Sequence, residues 1–231
     1  MTSSKALFAA SVAAALLSAS AGFSATIVNG GFEQDAGAAQ DGDQFNSLAT
    51  GSGNGSWSVF TTLPGWTTTS GAGIEIQTDN TVGQIDAHGG EHYVELDSNN
   101  NSTMQQTINL LKGFYELTFF YSPRTEDPKT NTIEFSVAKA FGDLASILSD
   151  SIRGPNQTLM TQVGTWTEVK ATFEVKTAGT YTLAFEATGT NDSFGGFIDD
   201  VSLAPVPLPA GGLLLIGALG GLAALRRRSL V

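Results

Sequence analysis

The sequence predicts an all-β fold, an antiparallel β-sandwich, across the middle of the chain, and three observations carry that prediction. Between residues 26 and 205 no long stretch repeats its apolar residues with the 3.6 period of a helix. Thr, Val, Ile, Phe and Tyr instead alternate with polar residues in short runs, the period-two pattern of half-buried strands. Gly, Asn, Asp and Pro separate these runs, and many short strands punctuated by such turns pack as two facing sheets.

Taken in order, the runs predict strands over 26–28, 57–61, 74–78, 92–97, 103–109, 114–121, 131–138, 166–175, 180–187 and 197–203. An internal echo joins two of them: residues 113–119 and 179–185 both read G-x-Y-x-L-x-F. In each, Tyr, Leu and Phe share one strand face, and each follows a strand-like run and a short turn, so both are expected to be second strands of hairpins that point the same apolar stripe into the core. The segment 35–56 differs. It is dominated by Gly, Ala, Ser, Asp and Asn and offers little to bury, which predicts a mobile surface loop.

The length of 231 residues, less its two terminal segments, suits one domain with a core large enough to fold alone. Of 11 basic residues, Lys5, Arg226, Arg227 and Arg228 lie in those segments, whereas all 22 acidic residues lie in the middle. The domain is therefore strongly acidic, which disfavours nucleic acid and anionic lipid and supplies carboxylates for a hard cation. With no cysteine, disulfides, thiolate zinc sites and cysteine catalysis are excluded, and calcium is the remaining staple.

Residues 1–25 read as a secretory signal peptide: Lys5, an apolar run from Ala6 to Leu17 broken by Ser11, and the small-x-small cleavage site Ala19-Ser20-Ala21. At the other end, residues 210–225 form an apolar, helix-like run that stops on Arg226, Arg227 and Arg228, which the positive-inside rule keeps cytoplasmic. Directly before it stands Val206-Pro207-Leu208-Pro209-Ala210. This motif, span and Arg cluster over 206–231 resemble the VPLPA variant of the PEP-CTERM sorting tail of Gram-negative bacteria. The resemblance implies transient inner-membrane insertion, processing by an exosortase-type transpeptidase, and delivery to the cell surface or extracellular matrix. A plain C-terminal anchor is the alternative.

Two pieces at opposite ends of the middle domain belong together by a second resemblance: Asn29-Gly30-Gly31-Phe32-Glu33 and Phe197-Ile198-Asp199-Asp200-Val201-Ser202-Leu203. Both resemble segments of the galactose-binding-like jelly rolls, a superfamily that includes many carbohydrate-binding modules, and Pro64-Gly65-Trp66 and Gly164-Thr165-Trp166 are further landmarks. That resemblance implies a jelly roll over 26–205 and a structural calcium ion held by the Gly31 carbonyl, the Glu33 carboxylate and one of Asp199 or Asp200. Calcium takes six to eight hard oxygens, which carboxylates and loop carbonyls supply.

His88 and His92 are separated by Gly89-Gly90 and read as loop and strand residues. The sequence contains no G-x-S-x-G elbow, no H-E-x-x-H and no phosphate-binding Gly loop. Tyr93, Glu95 and Asp97 project from one strand face, the pairing a glycoside hydrolase needs, but carboxylate pairs arise by chance in so acidic a domain. No catalytic residues are assigned. Sugar binding needs aromatic faces flanked by polar groups. Trp66 and Trp166 read as core landmarks, Trp57 and Phe60 as freer, and Tyr121 and Arg124 as a strand end and its polar loop. The expectation is a secreted, non-catalytic binder of polysaccharide or exopolysaccharide using Trp57, Tyr121 and Arg124. A purely structural matrix protein is the alternative, and a glycoside hydrolase the third reading.

Overall fold

The computed structural model describes residues 26–34, 57–81, 85–140, 146–154 and 162–207. The predicted signal segment 1–25, the loop 35–56 and the tail from Leu208 onward lie outside the described residues. Among the described residues no helix is long and apolar enough to cross a membrane.

The strands are β1 (Trp57–Phe60), β2 (Thr62–Leu63), β3 (Trp66–Ser70), β4 (Ile74–Thr78), β5 (His92–Glu95), β6 (Thr103–Leu110), β7 (Gly113–Ser122), β8 (Ile133–Lys139), β9 (Ser146–Ile152), β10 (Thr167–Val175), β11 (Gly179–Ala187) and β12 (Phe197–Pro205). They form two six-stranded sheets, one ordered β1-β4-β5-β12-β7-β10 and the other β2-β3-β6-β11-β8-β9, with antiparallel pairing in both. The fold is an antiparallel β-sandwich of jelly-roll type.

Alternation builds the core. Ile74 and Ile76, Val94 and Leu96, and Leu117 and Phe119 face inward from the first sheet, while Met104, Val137, Leu183 and Phe185 meet them from the second. The Phe119 ring lies edge-on to Phe135 and Phe185 at 5.0 and 5.1 Å. Each such fully buried side chain contributes about 1.5–3 kcal/mol relative to exposure.

The echoed segments put their Tyr, Leu and Phe into this core as the period predicts, but neither forms a hairpin with the strand before it. β6 pairs with β11 and β7 with β10, so the turns 111–112 and 176–178 are arches that carry the chain from one sheet to the other. The motif tyrosine fastens each arch to itself: Tyr115 Oη bonds both N–H and C=O of Leu111 at 3.1 Å, and Tyr181 Oη donates to the Thr177 carbonyl at 2.7 Å. All three bonds span four residues, and each tyrosine places a polar tip at the rim of an apolar layer.

The predicted strand 26–28 is not one. Val28 is held by a side chain, its N–H donating to Gln106 Oε1 at 2.7 Å and its carbonyl accepting from Gln106 Nε2 at 2.9 Å. One amide thus satisfies the backbone groups that a neighbouring strand would otherwise pair. Three strands that the sequence pattern did not indicate, β2, β3 and β9, complete the second sheet at its two margins.

Candidate functional site

The outer face of the first sheet carries the polar half of each alternation. Across it, Trp57 stands opposite Gln77 and Gln77 opposite Tyr93, while Glu75 stands opposite Glu95, Glu95 opposite Phe197, and Phe197 opposite Ser122. Trp57 is 52% exposed at one margin of this face. Moving inward, Gln77 Nε2 donates to Glu75 Oε1 at 2.7 Å and to Glu95 Oε2 at 2.6 Å. Arg124 closes the row with a direct ion pair to Glu95 Oε2.

This row is roofed by the segment between β11 and β12. Asp97 Oδ2 accepts the N–H groups of Asp192 and Ser193 at 3.1 Å, Glu95 Oε1 accepts that of Gly195 at 2.8 Å, and Arg124 donates to the Ser193 carbonyl at 3.1 Å. Phe194, 46% exposed, lies with its ring 5.0 Å from the Arg124 guanidinium. Beneath the roof, Glu95 and Asp97 are fully buried. Burial, with the Glu75 charge adding to it and Arg124 opposing, pushes the Glu95 carboxyl up to about 8. Burial likewise raises Glu75 and Asp97.

Beside the row lies an aromatic patch. His88 stacks on Phe120 with centroids 3.4 Å apart, and Tyr93 meets Trp166 at 5.8 Å and Phe197 at 5.0 Å, both edge-on. Trp166 is thus not a main-core residue: it is half-buried on this outer face, its Nε1 donating to the Asp86 carbonyl at 2.9 Å. Trp66 is a core residue, 1% exposed, with Nε1 donating to the Asn29 carbonyl at 3.0 Å. Phe60 is buried in the core as well.

Of the three residues expected to touch sugar, two share a face. Trp57 and Arg124 both lie on the outer face, linked through Gln77 and Glu95. Tyr121 does not join them. It is fully buried on the inner face with Tyr115, Leu117 and Phe119, and its hydroxyl donates to the Asn131 carbonyl and accepts from Gly154 N–H. Arg124 is also less available than expected, since Glu95 and Ser193 engage its guanidinium. Glu75 and Gln77 are the members of the row that sequence reasoning missed.

A second constellation gathers at the turn 88–92. Glu33 Oε1 accepts the N–H groups of Glu91 and His92, both at 2.9 Å, and Glu33 Oε2 lies 2.7 Å from His92 Nδ1. Asp199 accepts three N–H groups, from His88, Gly89 and Asp200, and burial pushes its carboxyl up to about 7 against those bonds. Asp200 Oδ2 lies 2.6 Å from His88 Nδ1, and a Cβ on Gly31 would stand 3.1 Å from Asp200 Oδ1. The two ends of the domain are tied here by Val201 N–H donating to the Gly30 carbonyl at 2.8 Å. A bulge between Asp199 and Ser202 and left-handed backbones at Phe32 and Asp200 (φ 58° and 48°) shape this junction.

Of the residues expected to hold a structural calcium, Glu33 has both oxygens engaged, by Glu91, His92 and the His92 ring, and Asp200 has one, by the His88 ring. The Glu33 and Asp200 carboxylates reach the same glycine turn from opposite ends of the domain, Gly31 backbone is beside Asp200, and all the donors are hard oxygens. Among the described residues no three His, Cys, Asp or Glu side chains group to hold a metal, so a cation there needs main-chain oxygens as well. Both Asp199 oxygens are engaged by backbone N–H groups, which leaves Asp200 the freer of the pair.

Several solved structures are similar in fold. A family 61 carbohydrate-binding module (TmCBM61) in complex with β-1,4-galactotriose is 19% identical with a TM-score of 0.43, covering 61% of this chain and 88% of that one. A CBM4 domain is 14% identical with a TM-score of 0.42, covering 78% and 100%. The K1 cleaved adhesin domain of Lys-gingipain from Porphyromonas gingivalis W83 is 17% identical with a TM-score of 0.45, covering 67% and 99%. No curated protein matches the chain. A family model described as a protein of unknown function, DUF642, matches residues 25–204, and the chain belongs to that family.

Proposed function

We propose that this is an exported, non-catalytic domain that binds a neutral polysaccharide on the outer face of its first sheet. The observation that carries this reading is Trp57, a half-exposed indole on the margin strand of that sheet, an apolar surface of the kind on which a pyranose ring stacks. Neutral rather than uronic sugars suit the face, because the Arg124 guanidinium that would pair with a uronate is already engaged by Glu95 and the Ser193 carbonyl. Burial of Glu75 and Glu95 beneath the surface argues against a hydrolase, whose two carboxylates must reach a glycosidic bond from either side.

The sorting motif Val206-Pro207-Leu208-Pro209-Ala210 and the Arg-terminated apolar run support export and processing by an exosortase-type transpeptidase, with delivery to the surface or matrix. Calcium held by Gly31, Glu33 and Asp200 is proposed as a staple between the first and last segments of the domain. The loss of Tyr121 to the core favours one rival, a structural matrix protein without a sugar site. Affinity electrophoresis of the domain against neutral and uronic polysaccharides separates the two: retention by a neutral polymer supports binding, and retention by none supports the rival.

A further inference from the structure

The end of the sandwich where both arches turn differs chemically from the rest of this acidic domain. Leu110 lies opposite Gly179, Gly113 opposite Val175, and Lys139 opposite Tyr181, so both arches and the end of β8 sit together. This end exposes Leu111 by 47% and Phe114 by 48%. Val206, 40% exposed, joins them through its N–H to the Phe114 carbonyl at 2.8 Å. Lys112, Lys139 and Lys176 stand at the same end, with Glu174 opposite Phe114 and Glu116 two residues further along β7.

The chain leaves the domain at this end. Pro205 lies opposite Tyr115, and only Leu208 and Pro209 separate Pro207 from the apolar run 210–225. Each extended residue spans at most about 3.6 Å, so the domain cannot stand far from a bilayer that holds this run. A helix of that run is about 24 Å long against a hydrocarbon core of about 30 Å, a mismatch that draws flanking residues toward the interface.

We propose that the arch end docks on the anionic surface of the bilayer into which the C-terminal run inserts. Leu111, Phe114 and Val206 enter the headgroup region and the three lysines meet lipid phosphates. Docked so, the domain holds the Val206–Ala210 motif at the membrane surface, and the opposite end, where the roof over Glu95 and Arg124 lies, points away from lipid. The proposal rests on reading 210–225 as a membrane insert.

The absence of cysteine makes a clean test possible, because each introduced cysteine carries the only label. The full chain is reconstituted in vesicles of phosphatidylcholine with or without phosphatidylglycerol, labelled through Asn109→Cys at the arch end or Asn191→Cys at the opposite end, and quenched by nitroxide lipid. Docking predicts several-fold stronger quenching at position 109 when phosphatidylglycerol is present. Leu111→Ser with Phe114→Ser removes that excess although the tether remains, and each Lys→Gln change lowers surface residence about fivefold. Unchanged quenching in the Leu111→Ser, Phe114→Ser variant overturns the proposal, as does a concentration-dependent signal without vesicles, which means a second copy covers the patch. If the full chain does not enter vesicles, the tail reading fails. Residues 26–207 contain every core side chain among the described residues, and tethering them by a C-terminal histidine tag to nickel-chelating lipid then decides docking by the same comparison.

Discussion

Glu75 and Glu95 stand directly opposite each other on neighbouring strands, and the one amide of Gln77 donates to both. Two buried acids face a single Arg124, so full ionisation leaves an uncompensated charge beneath the roof. The native state therefore holds protons that the unfolded chain releases. With Glu95 raised from 4.5 to about 8, the folded protein binds more protons between those values, and stability falls as pH rises through that window. Thermal melts at fixed calcium are expected to show a higher Tm at pH 5 than at pH 8. Glu95→Gln is expected to reduce the slope, with Asp199, raised to about 7, keeping its own share, and an unchanged slope in that variant would place its origin elsewhere.

The arch tyrosines give a second expectation. Tyr115→Phe removes the hydroxyl bonded to both backbone groups of Leu111, and Tyr181→Phe removes the bond to Thr177, with little change in packed volume. Each loss is expected to lower stability by about 0.5–1.5 kcal/mol, toward the upper end for Tyr115, whose loss frees a donor and an acceptor together. Denaturant unfolding with unchanged m-value measures it. An effect below the error of the fit would mean that the arches are held by their apolar contacts alone.

Calcium, if bound only by the folded state, is expected to add about 2.7 kcal/mol at 100 times its dissociation constant. Chelator is then expected to lower Tm, and Glu33→Gln to abolish the response. Gly90→Ala provides a contrast, since a Cβ there meets the Glu33 side chain and the backbone φ is 73°. It is expected to cost about 1 kcal/mol or more even in chelator. Melting curves that coincide with and without chelator would remove calcium from the account.

How far the sequence could be read varies with the kind of information each element carries. Period-two alternation located β4 and most of β6, β7, β10, β11 and β12, because a strand with one buried face writes its own register. It missed β9, whose Ser146–Ile152 is almost wholly exposed at a sheet margin, and β3, whose Thr-rich Trp66–Ser70 buries only Trp66. Arches and hairpins share short turn sequences, so the turns 111–112 and 176–178 did not reveal that the chain changes sheets there. Tyr121 was legible as a core residue, since Tyr115, Leu117 and Phe119 on the same strand face were already assigned inward. The Glu75–Glu95 row was not legible, because it depends on β4 lying beside β5, and neighbours within a sheet are a property of topology.

The last expectation concerns sugar. Stacking on one indole with a few hydroxyl contacts gives weak binding, of order 10–1,000 µM, since a Kd near 1 µM already needs about −8.2 kcal/mol. Trp57 lies on a margin strand with half its surface in solvent, so Trp57→Ala is expected to erase retention on the preferred neutral polysaccharide while leaving Tm within about 1 °C. Tyr121→Phe is expected to do the reverse: it breaks buried bonds to Asn131 and Gly154, costing about 1–3 kcal/mol, yet leaves retention intact because the ring faces the core. Affinity electrophoresis at millimolar calcium, with the melting temperature of each variant measured alongside, separates a lost contact from a lost fold. Retention that survives Trp57→Ala would move the site away from this margin, and a wild-type domain retained by no polysaccharide would leave a structural matrix role in its place.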